Sequence, residues 1–273
     1  MSMKRPNPDF AAMDEAQILA ADTSNWIAVL PLGATEQHGP HLPLITDSLI
    51  AAGVVERLKS ALPEKMFITF LPVEEIGYSP EHMDYPGSKS LAFGEAIERW
   101  VSIGVHLNSL GIRKLVLLNA HGGNSPLISI VATELRVRCD MLCVATSWTR
   151  FGLPKGMITE ADAAIDIHGG EIETSVMLAL DPALVDLSKA GSFSSQQSVF
   201  LAENEWLSAY GRHFFGWKIQ DLNPLGVTGN ASAASAEKGD LLLAHSIRCL
   251  GALLAEVDRF DLARFDRGAI PRG

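Results

Sequence analysis

Carboxylates and imidazoles collect in three short segments of this chain, and the spacing within them suits metal chemistry. The first segment reads Gly33-Ala-Thr-Glu36-Gln-His38-Gly-Pro-His41-Leu-Pro-Leu-Ile-Thr-Asp47. Glu36 and His38 are two residues apart, so on extended backbone their side chains leave the same face. A carboxylate beside an imidazole suits a divalent cation of the zinc, manganese or iron kind. Asp47 opens a helical stretch, where an aspartate ordinarily caps the helix. Thr46 can serve equally well as that cap, which leaves Asp47 as a metal ligand. His41 is not assigned to the metal; it orders the loop or supports the ligands from outside.

The second segment, Asn119-Ala-His121-Gly122-Gly123-Asn124, allows two readings. It can be a tight turn that cradles an anion at a helix N-terminus, or His121 can be a ligand beside glycines that admit close approach. The second reading accounts for both the histidine and the glycines. In the third segment, Asp166-Ile-His168-Gly-Gly-Glu171-Ile-Glu173-Thr174, Glu171 and Glu173 are two apart on a helix and cannot face one point. One belongs to the site, and the other is buried against a partner or caps the helix. His168, on the loop before them, is placed to carry a proton.

These segments need a scaffold that brings them to one edge, and the hydrophobic pattern supplies it. Continuous apolar runs from Trp26 to Leu32, Phe67 to Val73, Lys114 to Leu118 and Met141 to Thr146 read as buried strands. Helical spacing covers Asp47 to about Leu62, Ser90 to about Leu110, Ser125 to Val137, Glu171 to Leu180, and about Ala236 to Val257. Strands alternating with helices predict an α/β fold with a mostly parallel sheet and helices on both faces. In such sheets, ligands sit at the carboxyl ends of the strands, where all three polar segments begin. From about Leu187 to Leu225 the periodicity weakens. This excursion, carrying Trp206, Tyr210, His213, Phe214 and Trp217, covers the site or a subunit interface. No linker or repeat interrupts the chain, so residues 1–273 read as one domain.

Composition narrows the function classes. Of 273 residues, 47% are hydrophobic and 20% charged, enough for a buried core and unlike a disordered chain. A formal net charge of −10 disfavours nucleic acid as a partner. No nucleotide-binding glycine motif is present. No apolar run reaches the roughly 18–20 residues needed to cross a bilayer, and the N-terminus lacks the apolar stretch of a secretory signal. Three cysteines, Cys139, Cys143 and Cys249, without a paired pattern fit a reducing compartment. The expected location is the cytoplasm.

Taken together, the segment from Leu30 to Asp47, the stretch Gly77-Tyr-Ser-Pro-Glu81-His82 with Tyr85-Pro-Gly87, the Asn119–Asn124 segment, His168 to Ser175, and Gly226-Val-Thr-Gly-Asn230 with Ala234-Ser-Ala-Glu-Lys-Gly239 resemble the creatininase (creatinine amidohydrolase) family. The blocks span most of the chain in the family's order. The resemblance implies a three-layer α/β/α fold and two divalent metal ions, zinc with manganese or iron as alternatives. Glu36 and His121 would hold one ion, His38 the other, and Asp47 would bridge them. In creatininase itself a Tyr-Glu pair, its Glu a metal ligand, stands where this chain has Gly122-Gly123. The resemblance therefore implies Glu171 as the replacement ligand, and a substrate other than creatinine.

The reaction implied is hydrolysis of a small linear or cyclic amide by a hydroxide held between the ions. His168 would be the acid/base, and Gly122, Gly123, Asn124 and His82 would face the substrate. For Asn124 the alternative is bracing its loop. For His82 it is ordering its own loop, and it could instead approach from a neighbouring subunit. Peptidase and formamide deformylase are the alternative activities, and a metal-stabilised binding protein without turnover is a third. The family also implies a homo-oligomer, with hexamers common.

Overall fold

The computed structural model describes residues 5–265; residues 1–4, which begin the N-terminal stretch examined for a signal, lie outside them. Four strands form an all-parallel sheet in the order β2-β1-β3-β4. They are β1 (Ile27–Leu32), β2 (Ile68–Phe70), β3 (Lys114–Asn119) and β4 (Leu142–Ser147). Every residue of β1 and β3 is buried, which explains why these strands read as unbroken apolar runs. Alternate residues feed opposite cores. Ile27, Val29, Val116 and Leu118 pack on one face, and Ala28, Leu30, Leu32, Leu115 and Leu117 on the other.

The helices cover both faces. α1 (Glu15–Leu19) is a short N-terminal helix, held by a capping box in which Asp14 accepts from the Gln17 N–H. α2 (Thr46–Ala61) follows β1, α3 (Phe93–Ser109) follows β2, and α4 (Ser125–Cys139) follows β3. After β4 come α5 (Glu160–Ile165) and α6 (Glu171–Leu180). Then come β5 (Ser192–Phe193), α7 (Gln196–Glu203), α8 (Ile219–Leu222), β6 (Gly229–Asn230) and α9 (Ala236–Arg259). Apolar side chains of α2, α6 and α9 share the core with Ile27 and Val29, and those of α1, α3 and α4 pack with Leu30 and Leu115. The result is three layers, helix, sheet and helix. Among the described residues no helix is long and apolar enough to cross a membrane.

This strand order decides where the site lies. From β1 the chain crosses to β2 on one side, then returns over β1 to β3 on the other. The order therefore reverses between β1 and β3, and a crevice opens at their carboxyl ends. Leu32 pairs with Asn119 at that end, and the Ala120 N–H donates to the Leu32 carbonyl at 2.8 Å. The Glu36 segment leaves from β1 and the His121 segment from β3, side by side.

The excursion after Leu187 is built from short pieces. β5 pairs antiparallel with β6, and Ala209, Ile219 and Leu222 form a small core with Phe200, Phe215 and Trp217. Trp206, Tyr210 and Phe214 remain largely exposed. Cys139, Cys143 and Cys249 are free thiols. Cys139 and Cys143 pack as part of the core on the α3 and α4 side, and burial pushes the Cys143 thiol up to about 12.

Candidate metal centre

Loops that end the two central strands build the site, and each is braced from below. The Gly33 N–H donates to the Glu74 carbonyl at 2.9 Å, and the Glu36 N–H to the Leu44 carbonyl at 2.9 Å. Asn124 is fully buried and ties three segments together. Its amide nitrogen donates to the Gly33 carbonyl and to Asn119 Oδ1, both at 3.1 Å, and its Oδ1 accepts the Tyr78 N–H at 2.9 Å. With its amide spent on the protein, Asn124 braces the loops.

Above this frame lie Glu36, His38, Asp47, His82, His121, His168 and Glu173. Asp47 sits in the first turn of α2 but caps nothing. Its Oδ1 lies 3.2 Å from His38 Nε2, and its Oδ2 lies 3.2 Å from His121 Nδ1. His121 Nδ1 is also 3.1 Å from Glu36 Oε1. Glu173 Oε2 is 3.8 Å from His38 Nε2, and His168 Nδ1 is 3.7 Å from Glu36 Oε1. Ser79 donates a short hydrogen bond to the other Glu36 oxygen.

The backbone sets the orientation of the imidazoles. His38 Nδ1 donates to the Glu36 carbonyl at 3.0 Å, His121 Nε2 to the Tyr78 carbonyl at 2.9 Å, and His168 Nε2 to the Gln37 carbonyl at 2.6 Å. Each ring thereby turns its other nitrogen toward the carboxylates, as metal-binding histidines do. His82 has the opposite polarity. The Gln37 amide nitrogen donates to the Gly226 carbonyl at 2.6 Å and also meets His82 Nδ1 at 3.0 Å. His82 Nδ1 must accept, so its Nε2–H points to Glu36 Oε1, 3.6 Å away. His82 is buried within its own chain, its ring tilted against that of His168 at 4.2 Å.

The structure turns Glu171 away from the cluster. Its carboxylate is bound by the Lys238 ammonium in the first turn of α9, while Glu173 reaches His38. Residues two apart on a helix point about 200° apart around its axis, and the Lys238 contact decides which of them faces outward. Gly122 is exposed and Gly123 half-buried beside His121. His41 stands outside the cluster. Its Nε2 meets Thr174 Oγ1 at 2.8 Å, its ring stacks on Phe193, and burial pushes it down to about 4. Sequence reasoning did not mark Glu81, whose carboxylate comes within 3.9 Å of His121 Nε2. No metal-like spacing connects it to the other residues.

Divalent ions fit this donor set. Three triads have ligand atoms within 4.8 Å of one another: Glu36, Asp47 and His121; His38, Asp47 and Glu173; and Glu36, His38 and His168. Asp47 belongs to the first two, with one oxygen turned to each. Its Oδ2 is buried and accepts no well-formed hydrogen bond, a costly state that a cation relieves. Among the described residues, no Lys or Arg pairs with Glu36, Asp47 or Glu173, and histidines are their only charged partners. Without cations the strain appears in the titration of the groups. Burial opposes the His38 charge, but Asp47 and its neighbouring carboxylates win and push it up to about 9. Burial pushes the Glu173 carboxyl up to about 7, against the pull of His38. Burial, aided by His38, pushes His168 down to about 4.

Known proteins resemble this chain in sequence and fold. The profile of the creatininase family, described as creatinine amidohydrolase, matches residues 11–254. A creatinine amidohydrolase of Pseudomonas putida is 28% identical over 263 residues, covering 89% of this chain and 92% of the relative. A mycofactocin precursor peptide peptidase of Mycolicibacterium smegmatis is 27% identical over 235 residues, 81% of each chain. Among solved structures, a creatininase mutant of the Zn-Zn type superposes with a TM-score of 0.74 and a manganese creatininase with 0.72. Each is 25% identical and covers 93% of this chain and 100% of its own. With a family match over nearly its whole length and a strand-end cluster built for divalent ions, this chain belongs to the creatininase family.

Proposed function

We propose that this chain is a metal-dependent amidohydrolase that cleaves a small linear or cyclic amide. The observation that carries the reading is Asp47, whose two buried oxygens face two separate sets of donors. On this reading Glu36, His121 and Asp47 hold one ion, and His38, Glu173 and Asp47 hold the other. Divalent ions held there, zinc or manganese as in the related solved structures, polarise a carbonyl and lower the pKa of water.

The chain's own residues supply the rest. His168 is held neutral, with Nε2–H fixed on the Gln37 carbonyl and Nδ1 facing the cluster. It takes a proton at Nδ1 as water attacks the amide carbon, then delivers it to the nitrogen that leaves as the C–N bond breaks. His82 Nε2–H faces Glu36 Oε1 from 3.6 Å. Gly122 and Gly123 present bare backbone beside His121, and a side chain at Gly122 would meet nothing within 4 Å. That open space favours a substrate that reaches past the ions, as a formamide or a peptide does, over creatinine alone. A panel of creatinine, formamides, cyclic ureides and short peptides tests the reading. Turnover of one class that disappears on chelation supports it, and no turnover of any class by the zinc- or manganese-loaded chain would count against it.

We further infer that residues 1–273 form one catalytic unit, since the pieces of the site follow β1 and β3 of one sheet and open α6, which shares a core with it. The three free thiols favour the cytoplasm. The exposed Trp206, Tyr210 and Phe214 favour a homo-oligomer, which sedimentation of the purified chain resolves.

A further inference from the structure

The Gly122-Gly123 pair has an unequal geometry that the reaction above does not use. A side chain on Gly122 would meet open space. A Cβ on Gly123 would stand 2.5 Å from His121 Nε2 and 2.8 Å from Glu81 Oε1, and would press on the Tyr78 carbonyl. Gly123 does not need a left-handed backbone, since it is not among the positive-φ glycines. Its bareness therefore serves space alone: three groups from two segments converge over its Cα. Tyr78 precedes the short turn at Pro80–His82 and Glu81 lies within it, and His121 comes from the segment after β3.

What converges there is the outer edge of one ligand. The His121 Nε2–H is accepted by the Tyr78 carbonyl at 2.9 Å, and Glu81 Oε1 lies 3.9 Å from the same nitrogen. The opposite nitrogen, Nδ1, faces Glu36 and Asp47. Glu81 is absent from every triad that could hold an ion, so it sits outside the ligand set, on the far side of the ring. Its side chain is only 17% exposed, and among the described residues no Lys or Arg pairs with it. The Tyr78 carbonyl takes that N–H, and the Glu81 carboxylate, beyond hydrogen-bond reach, adds negative charge behind the ring, which makes the inner nitrogen a stronger donor.

We propose that Glu81 is a positioning residue for the ion held by Glu36, Asp47 and His121, and that Gly123 is glycine to let the Tyr78 carbonyl and the Glu81 carboxylate close in behind the His121 ring. The inference rests on the two-ion reading given above. It makes the two ions unequal in their dependence on Glu81, because His38 and Glu173 lie on the other side of Asp47. It also separates two glycines that look equivalent in the sequence.

Calorimetric titration of zinc into the metal-free chain tests this, with wild type beside Glu81→Gln, Gly123→Ala and Gly122→Ala. Glu81→Gln and Gly123→Ala are expected to weaken one of two zinc-binding steps about 10-fold, the lower end of what loss of such a partner costs. The other step should stay within about twofold, and Gly122→Ala should move neither step. Melting of the metal-free forms, followed by circular dichroism, should not distinguish Glu81→Gln from wild type. Unchanged binding in both steps for Glu81→Gln would overturn the proposal. So would equal weakening of both steps with a lowered melting temperature, which marks a general loss of packing. A wild-type chain that binds no zinc would instead sink the two-ion reading itself.

Discussion

Asp47 shows how one residue type takes its role from its neighbours. In the first turn of α2 an aspartate is well placed as a cap or a helix-dipole partner, yet its oxygens are spent on His38 and His121. Asp47→Asn keeps the volume but gives one oxygen up for a donor. It is expected to leave the fold intact, to strip the metal content, and to lower amide turnover by more than about 100-fold, the upper end of what loss of an outer partner costs. Elemental analysis beside a kinetic assay checks this. The His38 imidazole gives a second expectation. In the metal-free chain it is held near 9, so below that pH an ion must displace a proton to bind. Affinity for zinc should therefore rise between pH 6.5 and 8.5, measured by competition with a chelating dye. A flat profile would mean that His38 is not among the ligands.

At the scale of elements, the position of Glu173 depends on the packing of α6 against α9. Gly239 lies where a Cβ would strike the Ser175 backbone and stand 2.8 Å from the Ala179 Cβ. Gly239→Val should push the helices apart and cost about 1–3 kcal/mol in chemical denaturation, with weaker metal binding because Glu173 and Lys238 shift with their helices. Most of this architecture was legible beforehand. β1 and β3 are buried on both faces and therefore read as apolar runs, the half-buried β4 keeps an apolar run of its own, and α4, α6 and α9 carry a clear helical period. The strand expected from Phe67 to Val73 ends at Phe70 because Pro31 of β1 has no N–H to offer the Leu71 carbonyl, and the next bond to β1 comes only from Glu74. The helix expected from Ser90 starts at Phe93 because Lys89 and Leu91 are held by the carbonyls of Thr35 and Gly77. The pieces between Leu187 and Leu225 are two to eight residues long, too short to show a period. The site was legible wherever its spacing is local, as at Glu36 and His38. The choice between Glu171 and Glu173 was not, because Lys238, 67 residues downstream, makes it. Glu81 was hidden for the same reason, as its meaning lies in its approach to Gly123.

For the whole molecule, the ions and the fold should stabilise each other. The cluster joins segments after β1 and β3 with the start of α6, so a bound ion ties together parts of the chain far apart in sequence. Ligands that bind only the folded state add stability by mass action, about 4 kcal/mol at a thousandfold excess over Kd. Chelation should therefore lower the melting temperature by several degrees, and added zinc or manganese should restore it. The central claim is that two ions bridged by Asp47 carry amide hydrolysis. Its most direct test is to titrate zinc into the metal-free chain while following cleavage of whichever amide the panel identifies. The account predicts negligible turnover without metal and recovery that saturates near about two ions per chain. Full turnover by a chain shown by elemental analysis to hold no metal would contradict it.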